Sequence, residues 1–390
     1  MCNFPLRKLP AVVLHEITRM LMPNEILILA MCSFRTESFF RYRRYKTLGL
    51  HIHLSNSIPQ MDMNHLNDIA LVRFNSTKCD SEEPVEKLAQ IGGRYIKEDN
   101  ICMYLTHASL NEMFDIYEHL LRLYSFPCME WILIFDELDI SQFYELLSKV
   151  LKTQLSKLTI LGGSLSKEVM IFLMDIVPTT LELEIESEIS LDFNDPKALN
   201  YFESFYKDAR WVKLNDLYSI RNVYIVNLEI TELDCSDLNN FLRYWAHCDD
   251  FMMTKIEIKL KEGTEYDEEV ITDQLTVVAF NEKDYPQYFI KSNKESKQKF
   301  SLGYLELFRE FAAFTTWDPH EDYQDAHELL TISSRRKELE EELRKIEEQI
   351  RDDKVLNVLE MRKKHLSMEL EELNIKLRSK LIEFDKPFVV

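Results

Sequence analysis

Glycine is rare in this chain, with only seven residues in 390. Collagen-like repeats and glycine-rich flexible linkers need far more glycine, so both architectures are excluded. Gly92-Gly93 and Gly162-Gly163 are isolated pairs, without the further glycines or the Gly-Lys-Ser/Thr of a phosphate-binding loop. The pairs therefore predict turns, and the sequence has no nucleotide-binding motif of this kind.

Cysteine pairs and metal-ligand motifs are missing as well. The seven cysteines are scattered without a Cys-x-x-Cys, which argues against a zinc site and a disulfide framework. That pattern is typical of a reduced compartment, so we expect a cytoplasmic or nuclear protein. His51-x-His53 lacks further ligands at suitable spacing, and Asp136-Glu137 with Asp139 and Asp249-Asp250 are typical of loops and helix caps. We expect no metal, no cofactor and no enzymatic activity.

Long apolar runs are also absent. No stretch of 18 apolar residues occurs, and charged residues interrupt the N-terminal apolar stretch, so we expect neither a membrane span nor a secretory signal. The net charge is −20. Residues 1–50 carry +5 and residues 328–386 carry −1, which leaves −24 for the rest of the chain. An acidic middle disfavours nucleic-acid binding, because phosphates are neutralised by Lys and Arg.

The first fifty residues are predicted to form short helices. Pro10 is suited to a helix start, and Val13, Leu14, Ile17 and Leu21 follow at helical spacing. Such a small unit has more apolar surface than short helices hide from one another. The excess predicts a partner site, or packing on the following segment.

These residues resemble an F-box. The resemblance rests on Leu9-Pro10, on Ile17 seven residues later, and on Pro23-Asn24-Glu25 between two helices. F-box proteins bind a Skp-family adaptor and through it a cullin-based ubiquitin ligase. The usual tryptophan of the third helix is absent, and Phe39 or Phe40 stands in its region. By this resemblance the adaptor interface is lined by Leu9, Pro10, Ile17, Leu21, Pro23, Ile26 and Leu29.

The middle of the chain alternates β-like runs with helical patterns, which predicts parallel strands joined by crossover helices. We expect an α/β fold, α+β overall, built as an irregular leucine-rich-repeat-like arc. The predicted strands are Leu48–Leu54, Ile69–Phe74, Ile101–Leu105, Trp131–Phe135, Leu158–Leu161, Leu181–Ile185, Val223–Val226 and Lys255–Leu260. The predicted helices are Leu110–Leu123, Ile140–Leu151, Lys167–Ile176, Pro196–Tyr206 and Asp237–Trp245, the last capped by Ser236-Asp237.

A second resemblance lies in this segment. Trp211-Val212-Lys213-Leu214-Asn215-Asp216-Leu217, followed by Asp237-Leu238-Asn239-Asn240-Phe241-Leu242-Arg243-Tyr244-Trp245, is similar to the F-box-associated domain of type 2. That family is expanded in nematodes, and its domain is taken to bind the ligase substrate. The tryptophans and leucines themselves are expected in the core.

The C-terminal segment is predicted to be helical, with coiled-coil spacing. Its apolar residues step by four, three and four in two runs, which are out of phase around Arg351-Asp352-Asp353-Lys354. The break favours an antiparallel hairpin, with one long disturbed helix as the alternative. Self-association or substrate contact is the expected role. The seam consists of Leu339, Leu343, Ile346, Ile350, Leu366, Leu370, Leu373 and Leu377.

The sequence therefore predicts three segments: an F-box at 1–46, an F-box-associated α/β domain at 47–325 and a coiled coil at 326–386. The expected function is substrate recognition in a cullin-RING ligase of the SCF type, with a Skp-family adaptor, a cullin and an unidentified protein substrate as partners. The alternative is a coiled-coil scaffold that never meets a ligase.

Overall fold

The fold is mixed α/β, with a large mixed sheet, in a computed structural model of the chain. The structure describes residues 10–21, 23–32, 34–41, 45–46, 49–54, 60–65, 68–73, 89–91, 94–97, 100–104, 110–280, 283–292, 300–318, 323–352, 356–383 and 388–389. The predicted interface residue Leu9 lies outside these ranges.

The described residues form eleven α-helices. They are α1 (Ala11–Met20), α2 (Pro23–Cys32), α3 (Phe34–Arg41), α4 (Leu110–Leu123), α5 (Ile140–Val150), α6 (Lys167–Ile176), α7 (Leu214–Tyr218), α8 (Cys235–His247), α9 (Glu268–Thr272), α10 (Gln324–Asp352) and α11 (Leu356–Glu383). Two 3₁₀ turns lie at Phe135–Glu137 and Pro196–Leu199.

The strands are β1 (Tyr45–Lys46), β2 (Gly49–Leu54), β3 (Gln60–His65), β4 (Asp68–Arg73), β5 (Ala89–Ile91), β6 (Arg94–Lys97), β7 (Asn100–Tyr104), β8 (Tyr124–Ser125), β9 (Met129–Ile134), β10 (Lys157–Leu161), β11 (Ser164–Leu165), β12 (Glu182–Ile185), β13 (Glu188–Ile189), β14 (Glu203–Asp208), β15 (Val223–Ile230), β16 (Met253–Ile258), β17 (Val277–Phe280), β18 (Gln287–Lys291), β19 (Leu302–Leu307), β20 (Ala312–Trp317) and β21 (Phe388–Val389).

The chain divides into two compact units. Unit 1 comprises residues 1–164 and 181–187, and unit 2 comprises residues 165–180 and 188–390. This division says nothing about the three segments predicted from sequence, which stay a prediction.

In unit 1 the sheet order is β12-β10-β9-β2-β3-β4, and the first four strands run parallel. Trp131 of β9 is fully buried and packs against Phe114 and Tyr117 of α4, with ring centroids 5.4 and 5.2 Å away. Because successive residues of a strand point to opposite faces, this packing puts α4 on one face and Glu130 on the other.

In unit 2 the parallel strands β14, β15 and β16 continue into the antiparallel strands β20, β19, β18, β17 and β21. Trp245 of α8 packs edge-on against Phe314 of β20, with ring centroids 4.8 Å apart. Gly303 lies against both rings, where an added Cβ would come within 2.5 Å of Phe314 and 2.9 Å of Trp245. One of the few glycines thus permits a close approach in the core.

Most predicted elements are confirmed within a few residues, with two corrections. The predicted helix Pro196–Tyr206 is wrong: the 3₁₀ turn ends at Leu199, and β14 begins at Glu203 with alternating burial. The cap predicted at Ser236-Asp237 is instead Asp234, whose side chain accepts hydrogen bonds from the backbone N–H groups of Ser236 and Asp237. Antiparallel strands β17 to β20 had no counterpart in the prediction.

Candidate protein-interaction surfaces

Helix α1 presents an apolar face to solvent. Val13, Ile17 and Met20 are spaced by four and three residues, which places them on one side of the helix. Val13 is 42% exposed, Met20 is 82% exposed and Ile17 is half-buried. The opposite side packs inward at Thr18, which is buried and donates a hydrogen bond to the His15 carbonyl oxygen at 2.7 Å. We call Val13, Ile17, Met20 and Leu21 the α1 stripe.

Two residues predicted for the adaptor interface lie at the ends of α1. Pro10 precedes α1 and is exposed, while Leu21 ends it and is half-buried. Leu29 on α2 is also half-buried. Val13 and Met20 were not among the predicted interface residues, although their helical spacing from Ile17 was a signal that could have identified them.

Two other predicted interface residues, Pro23 and Ile26, lie on α2. Pro23 begins α2, but its side chain is not among those described. Ile26 is fully buried, together with Leu27 and Ala30 on the same helix. A surface role for the Ile26 side chain is therefore corrected to a packing role: Ile26 belongs to the core of unit 1.

A buried carboxylate joins α3 to α4 in unit 1. The side chain of Glu37 is 5% exposed, and its Oε1 lies 3.6 Å from His119 Nδ1 and 3.9 Å from Arg122 Nη1. A buried carboxylate is costly unless positive charge or hydrogen bonds compensate it. The two basic side chains of α4 place positive charge beside this carboxylate.

A row of polar side chains crosses the parallel strands of unit 1, on the face opposite Trp131. Glu130 accepts a hydrogen bond from Thr159 at 2.7 Å, lies 2.5 Å from His51 Nδ1, and pairs with Lys157 at 3.3 Å. Lys157 also pairs with Glu184 on β12. Burial by itself would raise the pKa of Glu130. The hydrogen bonds from His51 and Thr159 and the charge of Lys157 outweigh burial and lower the pKa to about 2.

The remaining polar motifs have structural partners. Asp139 caps α5 and accepts a hydrogen bond from the Gln142 backbone N–H at 2.8 Å, while Asp250 pairs with Arg221 at 3.2 Å. Among the described side chains, no cluster of three or more His, Cys, Asp or Glu residues could hold a metal ion.

In unit 2 one face of the sheet has two different environments. Strand register places one residue from each of seven strands in a single row across this face. At one end the row is buried under α10, and at the other end, on β14 to β16, no described helix covers it. From the open end to the covered end the row is Glu203, Ile225, Lys255, Thr315, Tyr304, Phe289 and Val278.

The uncovered part is mainly polar and half-buried, and we call it the open face. Lys255 and Glu257 of β16 pair at 2.6 Å, and Asn227 of β15 donates to Glu257 at 3.0 Å. Charges of both signs thus lie side by side on a half-buried strand surface. The open face consists of Glu203, Phe205, Lys207, Ile225, Asn227, Glu229, Lys255 and Glu257.

The residues that resemble the F-box-associated domain lie in the core of unit 2. Trp211, Leu217, Phe241 and Leu242 are at most 1% exposed, and Trp245 is 5% exposed. This confirms the expectation that these residues pack in the core.

The two C-terminal helices pack against each other. Their ion pairs join Glu328 to Lys380, Arg335 to Glu369 and Glu342 to Arg362, so numbering rises along one helix as it falls along the other. The helices are therefore antiparallel. Every residue of the predicted seam is buried or partly buried in the apolar clusters that they form, either between α10 and α11 or against the sheet of unit 2: Leu339, Leu343, Ile346, Ile350, Leu366, Leu370, Leu373 and Leu377.

In the described parts of the chain, no helix combines the length and the apolar character needed to cross a bilayer. Comparison with known proteins gives no family: no family model, no curated protein and no solved structure matches the chain.

Proposed function

We propose that the chain is a non-enzymatic substrate-recognition subunit of a cullin-RING ligase of the SCF type, acting in the cytoplasm or nucleus. Its N-terminal helices are an F-box that binds a Skp-family adaptor, and its parallel strands form a leucine-rich-repeat-like arc that recruits the target protein. The mechanism is proximity: the chain holds a target beside the ligase, whose other subunits carry out ubiquitin transfer.

The α1 stripe is the observation that carries this proposal. Each apolar side chain left in water forgoes about 1.5–3 kcal/mol that burial would supply. A short helix with exposed Val13 and Met20 is accounted for if a partner covers that side. The resemblance of Leu9-Pro10, Ile17 and Pro23-Asn24-Glu25 to an F-box indicates that this partner is a Skp-family adaptor.

The open face of unit 2 supports the second half of the proposal. Its polar side chains surround exposed strand surface, whereas the opposite face is filled by α8 through Trp245 and Phe314. We assign target recruitment to this face. A target of standard interface size would cover about 800 Å² of it.

Adaptor capture tests the proposal directly. We expect Met20→Asp and Val13→Asp each to abolish co-purification of a Skp-family adaptor, because each puts a charge at the centre of an apolar contact. Both side chains are exposed, so the far-ultraviolet circular dichroism and melting temperature should be unchanged. Leu191→Asp is the matched control, since Leu191 is 60% exposed in unit 2 and should leave adaptor binding intact. Undiminished capture by both α1 variants would falsify the F-box assignment.

The scaffold alternative needs point substitutions rather than truncation. Ala326, Leu329 and Leu330 of α10 lie in one buried cluster with Val278 and Phe289 of the sheet. Deleting residues 325–390 would uncover that cluster and destabilise unit 2 itself. The α1 variants discriminate cleanly, because a scaffold held by the C-terminal helices would keep its partners when α1 is altered.

A further inference from the structure

Helix α11 has a second apolar stripe that faces away from α10. Met361 is 67% exposed, Met368 is 55% exposed and Ile375 is 63% exposed. The neighbouring seam residue Leu366 is buried, so the two sets occupy different sides of the same helix. We call Met361, Met368 and Ile375 the outer stripe.

The spacing of the outer stripe is regular. Its members are seven residues apart, which is two helical turns and about 10.5 Å of rise. A seven-residue repeat drifts only about 20° per step around a helix, so the three side chains form a nearly straight line. Such a line can lie along a second helix.

The charges beside the outer stripe select an arrangement. Lys364 and His365 lie between Met361 and Met368, whereas Glu371 and Glu372 lie between Met368 and Ile375. All four flanking side chains are exposed, and no ion pair among the described residues uses them. One half of the stripe is therefore flanked by Lys364 and His365, and the other half by two acidic side chains.

We propose that the outer stripe is a self-association surface, on which α11 of a second copy lies antiparallel about a two-fold axis at Met368. Met361 then contacts Ile375 of the second copy, and Met368 meets its own equivalent. The same axis brings Lys364 close to Glu371 and His365 close to Glu372 across the interface. A parallel arrangement would instead put Lys364 beside Lys364 and Glu371 beside Glu371, which is repulsive.

The proposal replaces the route to self-association that the sequence suggested. Within one chain, α10 and α11 already bury Leu339, Ile346 and Leu366 against each other, so these side chains cannot contact a second copy. Only residues outside that seam remain for a second copy. The outer stripe is also independent of the adaptor proposal, since it lies on unit 2 and needs no ligase component.

Sedimentation velocity of the full chain over a wide concentration range tests the proposal. We expect a concentration-dependent dimer, whose dissociation constant rises at least about tenfold in Met368→Glu, because two carboxylates would meet on the axis. Ile230→Glu is the matched control: Ile230 is 48% exposed in unit 2, and the dimer should persist.

A charge exchange tests the antiparallel geometry. Lys364→Glu and Glu371→Lys should each weaken the dimer about threefold or more, and the double variant should return to within about twofold of the unaltered chain. A monomeric chain at all concentrations would leave the stripe to a different partner and overturn the proposal. A dimer unaffected by Met368→Glu, or a double variant as weak as the singles, would also overturn it.

Discussion

The helices at the two ends of the chain have similar apolar spacing but opposite exposure. In the C-terminal pair, Leu339 is fully buried and Ile346 and Leu366 are nearly so, all by contacts within the chain. In α1, by contrast, Val13 is 42% exposed and Met20 is 82% exposed. Apolar residues at helical spacing thus predict a helix equally well in both places, but they do not reveal whether the chain itself covers the apolar side.

The length and number of the available neighbours explain the difference. Helices α10 and α11 have 29 and 28 residues, so each offers the other a facing surface along its whole length. Helix α1 has 10 residues. Its inward side is buried at Thr18, whereas the side that carries Val13 and Met20 is exposed. A surface of this kind is where an intermolecular contact is expected.

The largest expected effect comes from opening the C-terminal seam. Leu339→Ala should lower the free energy of unfolding by about 2–5 kcal/mol, because it leaves a cavity where Leu339 is fully buried. Met361→Ala is the matched control on the outer side of the pair and, at concentrations where the chain is monomeric, should change stability by less than about 0.5 kcal/mol. Urea unfolding followed by circular dichroism measures both. Equal losses in the two variants would show that seam and outer stripe do not differ in the way described.

The second effect concerns a charge that is satisfied inside unit 1. Glu130→Gln should cost about 2 kcal/mol at pH 7, since the carboxylate is stabilised by His51, Thr159 and Lys157. The folded-state pKa is lowered from 4.5 to about 2. Its contribution is therefore complete above about pH 4.5 and is lost as the pH falls toward 2.

Urea unfolding at pH 7 and at pH 3 checks this dependence. The difference between the unaltered chain and Glu130→Gln should shrink at the lower pH, whereas Glu145→Gln should show little difference at either. Glu145 is the appropriate control because its side chain is 69% exposed and pairs with Lys149 on the surface of α5. A pH-independent loss in Glu130→Gln would show that shape rather than charge accounts for its effect.

The sequence predicted the individual elements better than their pairing. Helices Leu110–Leu123 and Lys167–Ile176 have the predicted bounds, because each combines strong amphipathic spacing with clear ends. The helix predicted from Pro196 is wrong because proline at a first helical position also suits a short 3₁₀ turn. The period-two alternation of Glu203–Asp208 was the signal for a strand. Strand partners depend on contacts distant in sequence, so the antiparallel order from β20 to β17 had no local signal.

The candidate surfaces show the same limit. Spacing identified the side of α1 that carries Ile17, and it identified every residue of the C-terminal seam. It did not separate buried Ile26 from exposed Met20, because both are apolar residues in predicted helices. Exposure is a property of the assembled unit. The outer stripe of α11 could not be predicted for a related reason. The leucine repeat and the stripe of Met361, Met368 and Ile375 have the same seven-residue spacing, and only burial of the leucines shows which of the two stays exposed.

The smallest expected effect comes from the ion pairs along the outside of the C-terminal helices. Arg335 Nη2 lies 3.0 Å from Glu369, with 49% and 33% of the two side chains exposed. Arg335→Gln should cost only about 0.2–1 kcal/mol, since water screens the pair, and the loss should diminish in high salt. Urea unfolding at low and high ionic strength measures this, with Lys149→Gln as a control for an exposed pair within a single helix. A loss as large as that of Leu339→Ala would mean that charge, rather than the buried seam, holds α10 against α11.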